Sequence, residues 1–585
     1  MASLGQHQPT RRTFTWIREA ALAAAVAATA VVGWTGGAPA RAQSAGVNAN
    51  KPAADAKPVT DGKASDGKPA DAKMDAGPEN YDPTHKRARI TPAELGRLRM
   101  LEIQSGAFRE AHKDPGSQQL VGPPLSDREK VMHVMNRLAF GPKQGDVEAV
   151  LLEGGMTDQW KGWVAKQLKP ESIDDAAVDA EVAKKFPDLK KSTADLYKAY
   201  PYRQNGGKGE WREPGHILQD SVLTRAVHSN RQLQEVLAEF WRNHFCVDTG
   251  TQEQKTRSWA ALAYEQEVIR PNVMGKFPNM VFASARHPAM LDYLDNQVSK
   301  VNNWNENYAR ELMELHTVGV DRGYTDFDVI ELSKVLTGWQ FERGTYAFKF
   351  NDTIHQPGAK KVMGVAMKPG YEGGEQAIMM LATHKYTANF IATKLCKYFV
   401  NDAPPAALVT KVENVFLQTK GDLPKVYEAI FYSPEFLERG NFRAKFKTPF
   451  EFVVSADRAV DADLAAARKS NQILAKMGQE VYNCPDPTGY FDRSEAWLDS
   501  GVLTSRWDYA LSLARGGVDG VKPSEKVFAK HAGKKVDELY KDVVRELICD
   551  DIGDKTRQVL KEAADAGDVK RMYAVLIGCP SFQQQ

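Results

Sequence analysis

Between about residues 91 and 577, apolar side chains recur at three- and four-residue intervals, the spacing that lines one face of a helix. Thr91-Pro92 opens the first such segment, with a capping hydroxyl and a proline at the first helical position. Ser126-Asp127-Arg128-Glu129 opens another, with Val131, Val134, Met135 and Leu138 on one face until Ala139-Phe140-Gly141-Pro142 stops it. Short helices are expected over 146–152 and 158–168. The segment 231–245 is strongly amphipathic, because Leu233, Val236, Leu237, Phe240 and Trp241 share one stripe. Thr325 reads as the cap of a helix through Leu336, and His287-Pro288 as the start of one through Tyr293. Helices are expected again over 375–381 and 387–400.

One stretch breaks the helical period. Between 339 and 374, Tyr346 to Phe350 alternates in character, and Lys361 to Val365 follows after a polar loop, which predicts a small inserted β-hairpin. No fixed-period repeat is present, which disfavours a solenoid. The predicted class is therefore mainly α: a multi-helix globular fold with one hairpin near 340–374. The division is a signal segment over 1–42, a linker over 43–88, a helix and connecting loop over 89–124, and a helical domain over 125–585.

The N-terminus follows different rules. Arg11, Arg12 and Arg18 precede a mild Ala-rich run over 20–32, and Ala40-Arg41-Ala42 is a small-x-small cleavage site. As a helix that run spans about 20 Å, short of a hydrocarbon core of roughly 30 Å, so a cleaved signal is expected rather than an anchor. The paired arginines followed by Thr13-Phe14 resemble a twin-arginine signal, with Thr15 where Lys is common. An ordinary secretory signal is the rival reading. Either one predicts a periplasmic or secreted protein beginning near Gln43. The linker repeats units such as Asp61-Gly62-Lys63 and Asp71-Ala72-Lys73, and holds too little apolar surface to offset chain entropy.

Composition narrows function more than it specifies it. The 77 basic and 75 acidic residues leave a net charge of +2, without the basic surplus a nucleic-acid binder uses on phosphates. No apolar stretch beyond the signal is long enough to cross a membrane. The 5 cysteines are widely spaced and form no C-x-x-C pair. Each reads first as a small buried apolar side chain, although an exported protein can oxidise a pair. The common local signatures of zinc proteases, serine hydrolases, nucleotide binders, EF-hands and di-iron bundles are absent.

The most informative segment is 305–319. On a wheel, Tyr308, Leu312 and Leu315 form one stripe, while Glu306, Asn307, Arg310, Glu311 and Glu314 fill the opposite arc. Two readings are open: a solvated face laced with i,i+4 ion pairs, or a polar cluster in a cleft where carboxylates bind a cation or shift in pKa. His316 falls on the apolar side, and His244 does so on its own helix. Each is a core histidine by default. If they meet, they form an acid–base pair or contribute to a metal site. The candidate catalytic set is His244, His316, Glu311, Arg310 and Glu314. The candidate binding set is Trp241, Asn243, Glu306, Asn307, Trp339 and His355, the last also a turn residue beside Asp352. Neither a cofactor nor a metal is specified.

These residues carry a resemblance. Asn136 to Pro142, Phe240-Trp241-Arg242-Asn243-His244-Phe245, His287 to Leu291, 305–319, Gly323-Tyr324-Thr325, Leu336 to Trp339, Lys447-Thr448-Pro449 and Met477-Gly478-Gln479 run in the order of the bacterial domain-of-unknown-function 1800 family. The match covers roughly 125 to 515. Cys246 stands where a small or β-branched residue is expected, and His384-Lys385-Tyr386 departs from a His-Pro-Ala pattern. The resemblance implies an exported, helix-rich fold. It also implies gene company with a second exported family, numbered 1501, which is similar to sulfatases and alkaline phosphatases. It implies no reaction. Three functions are carried forward: action with that exported partner on an envelope or extracellular polymer, a periplasmic enzyme (a metal-dependent hydrolase among them), and a structural scaffold.

Overall fold

The Ser126 hydroxyl accepts from the Glu129 backbone N–H while the Glu129 carboxylate takes the Ser126 N–H, closing a capping box that starts the helix Asp127–Leu138. The computed structural model describes residues 123–153, 158–201, 210–249, 258–531, 533–549 and 552–585. The expected signal, the linker and the helix opening at Thr91 lie outside the described residues. Within them the chain is mainly helical, and no helix is long and apolar enough to cross a membrane.

The expected helices are present over Asp146–Glu153, Gln159–Gln167, Gln232–His244, Pro288–Tyr293, Asp326–Val335, Gly370–Ala382 and Lys385–Phe399. Thr325 and Asp328 form a second capping box, and the His287 ring accepts from the Ala289 N–H at 3.1 Å. The helix Glu213–His228 packs on Ser258–Tyr264, on Pro449–Ala459 and on Arg468–Lys476. The helix Lys385–Phe399 packs on Ala406–Thr419, which in turn packs on Leu423–Phe431. The final residues fold back on the chain, with Lys445 and Gln585 exchanging both backbone hydrogen bonds.

The inserted β segment differs in its pairing from the single hairpin expected. Tyr346 to Phe350 finds its partner upstream: β1 (Trp339–Phe341) pairs antiparallel with β2 (Phe348–Phe350). The later residues close on themselves as β3 (Lys361–Val362) and β4 (Val365–Ala366). Met363 and Gly364 both take positive φ, as a two-residue hairpin turn requires. Ring packing decides the first pairing. Trp339 meets Phe348 edge-on at 5.1 Å and stacks on Tyr371 at 5.3 Å. Gly374 is needed beneath it, since a Cβ there would lie 2.3 Å from the Trp339 ring. A third ribbon, β5 (Asp463–Leu464) with β6 (Val521–Lys522), carries no alternating signal long enough to read.

Two helices interrupt their own register with a π-helical turn. One follows Ser258–Tyr264 over Glu265–Ile269, and the other follows Glu306–Glu311 over Leu312–His316. Such turns shift every later side chain around the axis and occur often at functional sites. The Thr317 hydroxyl donates to the carbonyl of Leu312 at 2.6 Å, closing the end of the wider turn.

Pro449–Ala459 buries Asp457 completely, where it accepts from the Tyr509 hydroxyl. Burial pushes this carboxyl up to about 7 against the lowering effect of Tyr509. Between pH 4 and 7 the folded chain therefore holds a proton that the unfolded chain has released, so this group's contribution to stability falls as pH rises through that window and is flat above it. Asp457→Asn should remove that slope. The melting temperature of the variant relative to the unmodified chain is expected to improve steadily from pH 4 to 7; a difference independent of pH would contradict a protonated Asp457.

Candidate functional site

The helix Gln232–His244 carries two chemistries on opposite faces. At 100° per residue, Glu239, Arg242 and Asn243 fall on one arc and Phe240, Trp241 and His244 on the other. The first arc borders a shallow cleft whose enclosed space has room for little more than a water molecule, the remainder being open to solvent. Arg242, Asn243, Tyr482, Tyr490, Glu239 and Glu480 are among its lining residues, together with two cysteines. The second arc faces an aromatic core.

On the cleft side, Arg242 makes a two-pronged contact with Glu265, Nε to Oε2 at 3.1 Å and Nη2 to Oε1 at 2.9 Å. Its remaining nitrogen is held by Glu239. The Tyr482 hydroxyl donates to Glu265 at 2.7 Å, and Arg270 binds Glu235 through two bonds of 2.9 and 2.6 Å. Burial alone would raise the Glu265 carboxyl, but the Arg242 and Arg270 guanidiniums and the Tyr482 hydroxyl outweigh it and hold it below the usual range. Glu239 goes the other way: burial raises its carboxyl, and Arg242 offsets that only in part.

The loop after Arg468–Lys476 forms the opposite wall. The Tyr490 backbone N–H donates to Asn243 Oδ1 at 2.6 Å, and Asn243 Nδ2 donates to the Tyr490 carbonyl at 2.9 Å. Gly489, at φ +78°, allows this approach, since a Cβ there would lie 2.4 Å from the Asn243 carbonyl.

On the other face the two histidines meet, with ring centroids 6.1 Å apart. His244 Nε2 lies 3.2 Å from the His316 carbonyl, which can only accept, so Nε2 carries the proton and Nδ1 is the acceptor. Lys394 Nζ donates to that Nδ1 at 3.3 Å. Both rings are pushed below the ordinary histidine value by burial first and by Lys394 second, His316 to about 3. Lys394 is itself lowered by burial, against the pull of Asp492 at 3.9 Å. Asn243 Nδ2 reaches the other Asp492 oxygen at 3.4 Å, so a polar chain runs from the histidines through Lys394 and Asp492 to the cleft.

Both His244 nitrogens are thus committed. Among the described residues no group of three or more His, Cys, Asp or Glu side chains is placed to hold a metal ion. The arrangement suits a neutral imidazole backed by a desolvated ammonium, not a ligand set.

The other sequence candidates scatter. Arg310 lies 3.6 Å from Glu306, 3.4 Å from Glu314 and 3.1 Å from Asp326, whose side chain is 84% exposed. This is the i,i+4 ion-paired face, and none of its members lines the cleft. Glu311 is half-buried on the same helix, and Asn307 donates to the Leu294 carbonyl at 3.4 Å. Trp241 is fully buried and donates to the Tyr427 hydroxyl at 2.7 Å. Trp339 packs beneath the first hairpin, and His355 bonds the Thr337 carbonyl at 2.8 Å with Lys360 on its far nitrogen at 3.2 Å. Asn243 alone of the sequence candidates lines the cleft.

Sequence reasoning missed Lys394, Glu239, Arg242 and Glu265. A signal existed for two of them. Lys394 sits three residues after Ile391 at the edge of a buried stripe, and Glu265 ends the apolar run Trp259 to Tyr264.

A family model described as protein of unknown function (DUF1800) matches residues 133–584. No curated protein and no solved structure matches the chain.

Removing one member of a buried ion pair leaves the other charge uncompensated, at a cost of roughly 3–5 kcal/mol. Glu265→Gln should therefore lower unfolding free energy by that order in urea titration. Glu306→Gln, on the solvated face, should change it by less than about 1 kcal/mol. Equal effects would mean the buried network is not what organises the cleft.

Proposed function

The chain belongs to the DUF1800 family, and on that premise we propose that it is an exported protein that binds an envelope or extracellular polymer in the cleft beside Gln232–His244. The observation that carries this reading is the lining of the cleft. Carboxyl, guanidinium and amide groups share its walls with Tyr482, Tyr490 and Phe450. Convergent hydrogen-bonding groups beside aromatic rings suit a polyhydroxylated chain, whose ring faces are apolar and whose edges are polar. The reading of export rests on the twin arginines, the Ala-rich run and the small-residue cleavage site. The partner in this reading is the exported sulfatase-like family, numbered 1501, that the resemblance implies.

A second reading, a hydrolytic enzyme, has its own support. Glu239 carries a raised carboxyl at the cleft wall, which suits a proton donor, and the Lys394–Asp492–Asn243 chain links the neutral His244 to the same space.

Export is tested by replacing Arg11→Lys and Arg12→Lys together. The full-length precursor should then stay in the cytoplasmic fraction, while the unmodified chain is recovered outside it and shortened near Ala42. Equal distribution of the two would remove the twin-arginine reading.

Binding is tested by affinity electrophoresis against peptidoglycan fragments and against neutral and sulfated soluble glycans. At least one is expected to retard the protein, and Glu239→Gln, run at a temperature where the variant remains folded, should weaken retardation about tenfold, the effect of some 1.4 kcal/mol. Retardation by none of these probes would leave the scaffold reading in its place.

A further inference from the structure

The cleft holds two thiols. Cys246 follows the C-terminal end of Gln232–His244, and Cys484 lies in the loop that forms the opposite wall. They are 238 positions apart in sequence, yet Cys246 Sγ is 3.9 Å from the Cys484 carbonyl, and the Cys484 thiol itself donates to the Asp486 carbonyl at 3.5 Å. Both are free thiols and both are buried.

The backbone on either side of the pair is already fixed. Before Cys484, the Tyr482 carbonyl accepts from both the backbone and the hydroxyl of Thr249, at 3.0 and 2.9 Å. After it, Tyr490 is clasped by Asn243. The two cysteines are therefore held beside one another by contacts that do not depend on a bond between them, and a disulfide would form once the Cys484 side chain turns from the Asp486 carbonyl toward Cys246. The other cysteines are placed differently. Cys396 lies in the core of Lys385–Phe399, Cys579 follows Val569–Gly578, and Cys549 follows Val536–Ile548.

We propose that Cys246 and Cys484 are a redox pair that closes to a disulfide in an oxidising environment and locks the cleft wall to the end of Gln232–His244. The oxidant is another disulfide, either small or on a thiol-exchange protein. Cys484, as thiolate, attacks a sulfur of that disulfide, since the neighbouring Cys484 and burial disfavour the thiolate of Cys246; a mixed disulfide forms and the oxidant's other sulfur leaves as a thiolate that takes up a proton. The second cysteine, also deprotonated, attacks the mixed disulfide and expels the remaining oxidant thiolate. The pair loses two electrons to the oxidant, and the two protons end on the expelled thiols. Because the thiols sit inside the cleft, a bound ligand shields them, and exchange is slower with the cleft filled.

The inference uses the shape of the cleft and not the identity of its ligand, so its test needs no ligand. The purified folded chain is equilibrated with reduced or oxidised glutathione, alkylated, digested and mapped by mass spectrometry. The expected result is a single linked peptide pair joining Cys246 to Cys484, together with a melting temperature raised by about 5 °C, the size expected when a long loop is closed in a chain of this length. Cys246→Ser and Cys484→Ala should each abolish the oxidative gain. They should melt close to the reduced parent, which separates loss of the bond from loss of the fold. Thiols that stay free throughout, a bond to any other cysteine, or an oxidative gain that survives both substitutions overturns the proposal.

Discussion

A charged pair out of water stays ionised only if nearly every donor and acceptor on it is matched. Arg242 and Glu265 meet that condition through three separate parts of the chain. The guanidinium comes from one helix, the carboxylate from the start of a π turn, and the Tyr482 hydroxyl from a loop more than two hundred residues later. The surrounding group counts three carboxyls, Glu235, Glu239 and Glu265, against two guanidiniums, Arg242 and Arg270. One carboxyl is in surplus. Burial makes that surplus unfavourable as an anion, and it falls on Glu239, the member whose carboxyl is raised. The residue best suited to give up a proton at the cleft is thus a consequence of the pair that builds the cleft wall.

Much of the helical frame was legible because its signals are local. Ser126 with Glu129 and Thr325 with Asp328 each fix a helix start within four residues, and the stripe from Leu233 to Trp241 fixes a buried face. What failed to read was non-local or broke the period. A wheel drawn through 305–319 assumes one rise per residue, but the π turn at Leu312–His316 changes the angle midway. Arg310 nevertheless found the carboxylates four residues on either side, because i,i+4 pairing across that span still brings long side chains within reach. The first hairpin pairing was hidden because Tyr346 to Phe350 alternates equally well toward either neighbour, and only the Trp339 ring decides between them.

The candidate site was half visible for a related reason. His244 and His316 each stood out as a polar residue on an apolar face, and the fold brings them together. The lysine between His244 and Asp492 did not stand out, since one charged residue at the edge of a helix stripe is ordinary. Its significance comes only from what Gln232–His244 and the 477–497 loop place around it. In that loop Tyr490 and Trp497 follow Pro485 and Pro487 as aromatics that could stack on a ligand or pack on the core, and no local signal tells which helix they face.

The two clusters of charged groups sit in opposite surroundings. Arg310 and its carboxylates stand at the surface, where water screens them and each pair contributes little. Lys394 and His244 sit among Phe240, Phe390 and Phe245, with the ammonium 5.8 and 5.9 Å from two of those rings. In that setting a proton on either nitrogen base changes the local field strongly, because little water answers it. Asp492 partly offsets the lowering of Lys394 by burial, and the same carboxylate is bonded to Asn243 at the cleft. A ligand that drew Asn243 away from Asp492 would alter the carboxylate's hold on Lys394 and, through it, the basicity of His244. One carboxylate, Asp492, thus stands in contact with groups on both sides of the helix Gln232–His244, Asn243 at the cleft and Lys394 beside the buried imidazole.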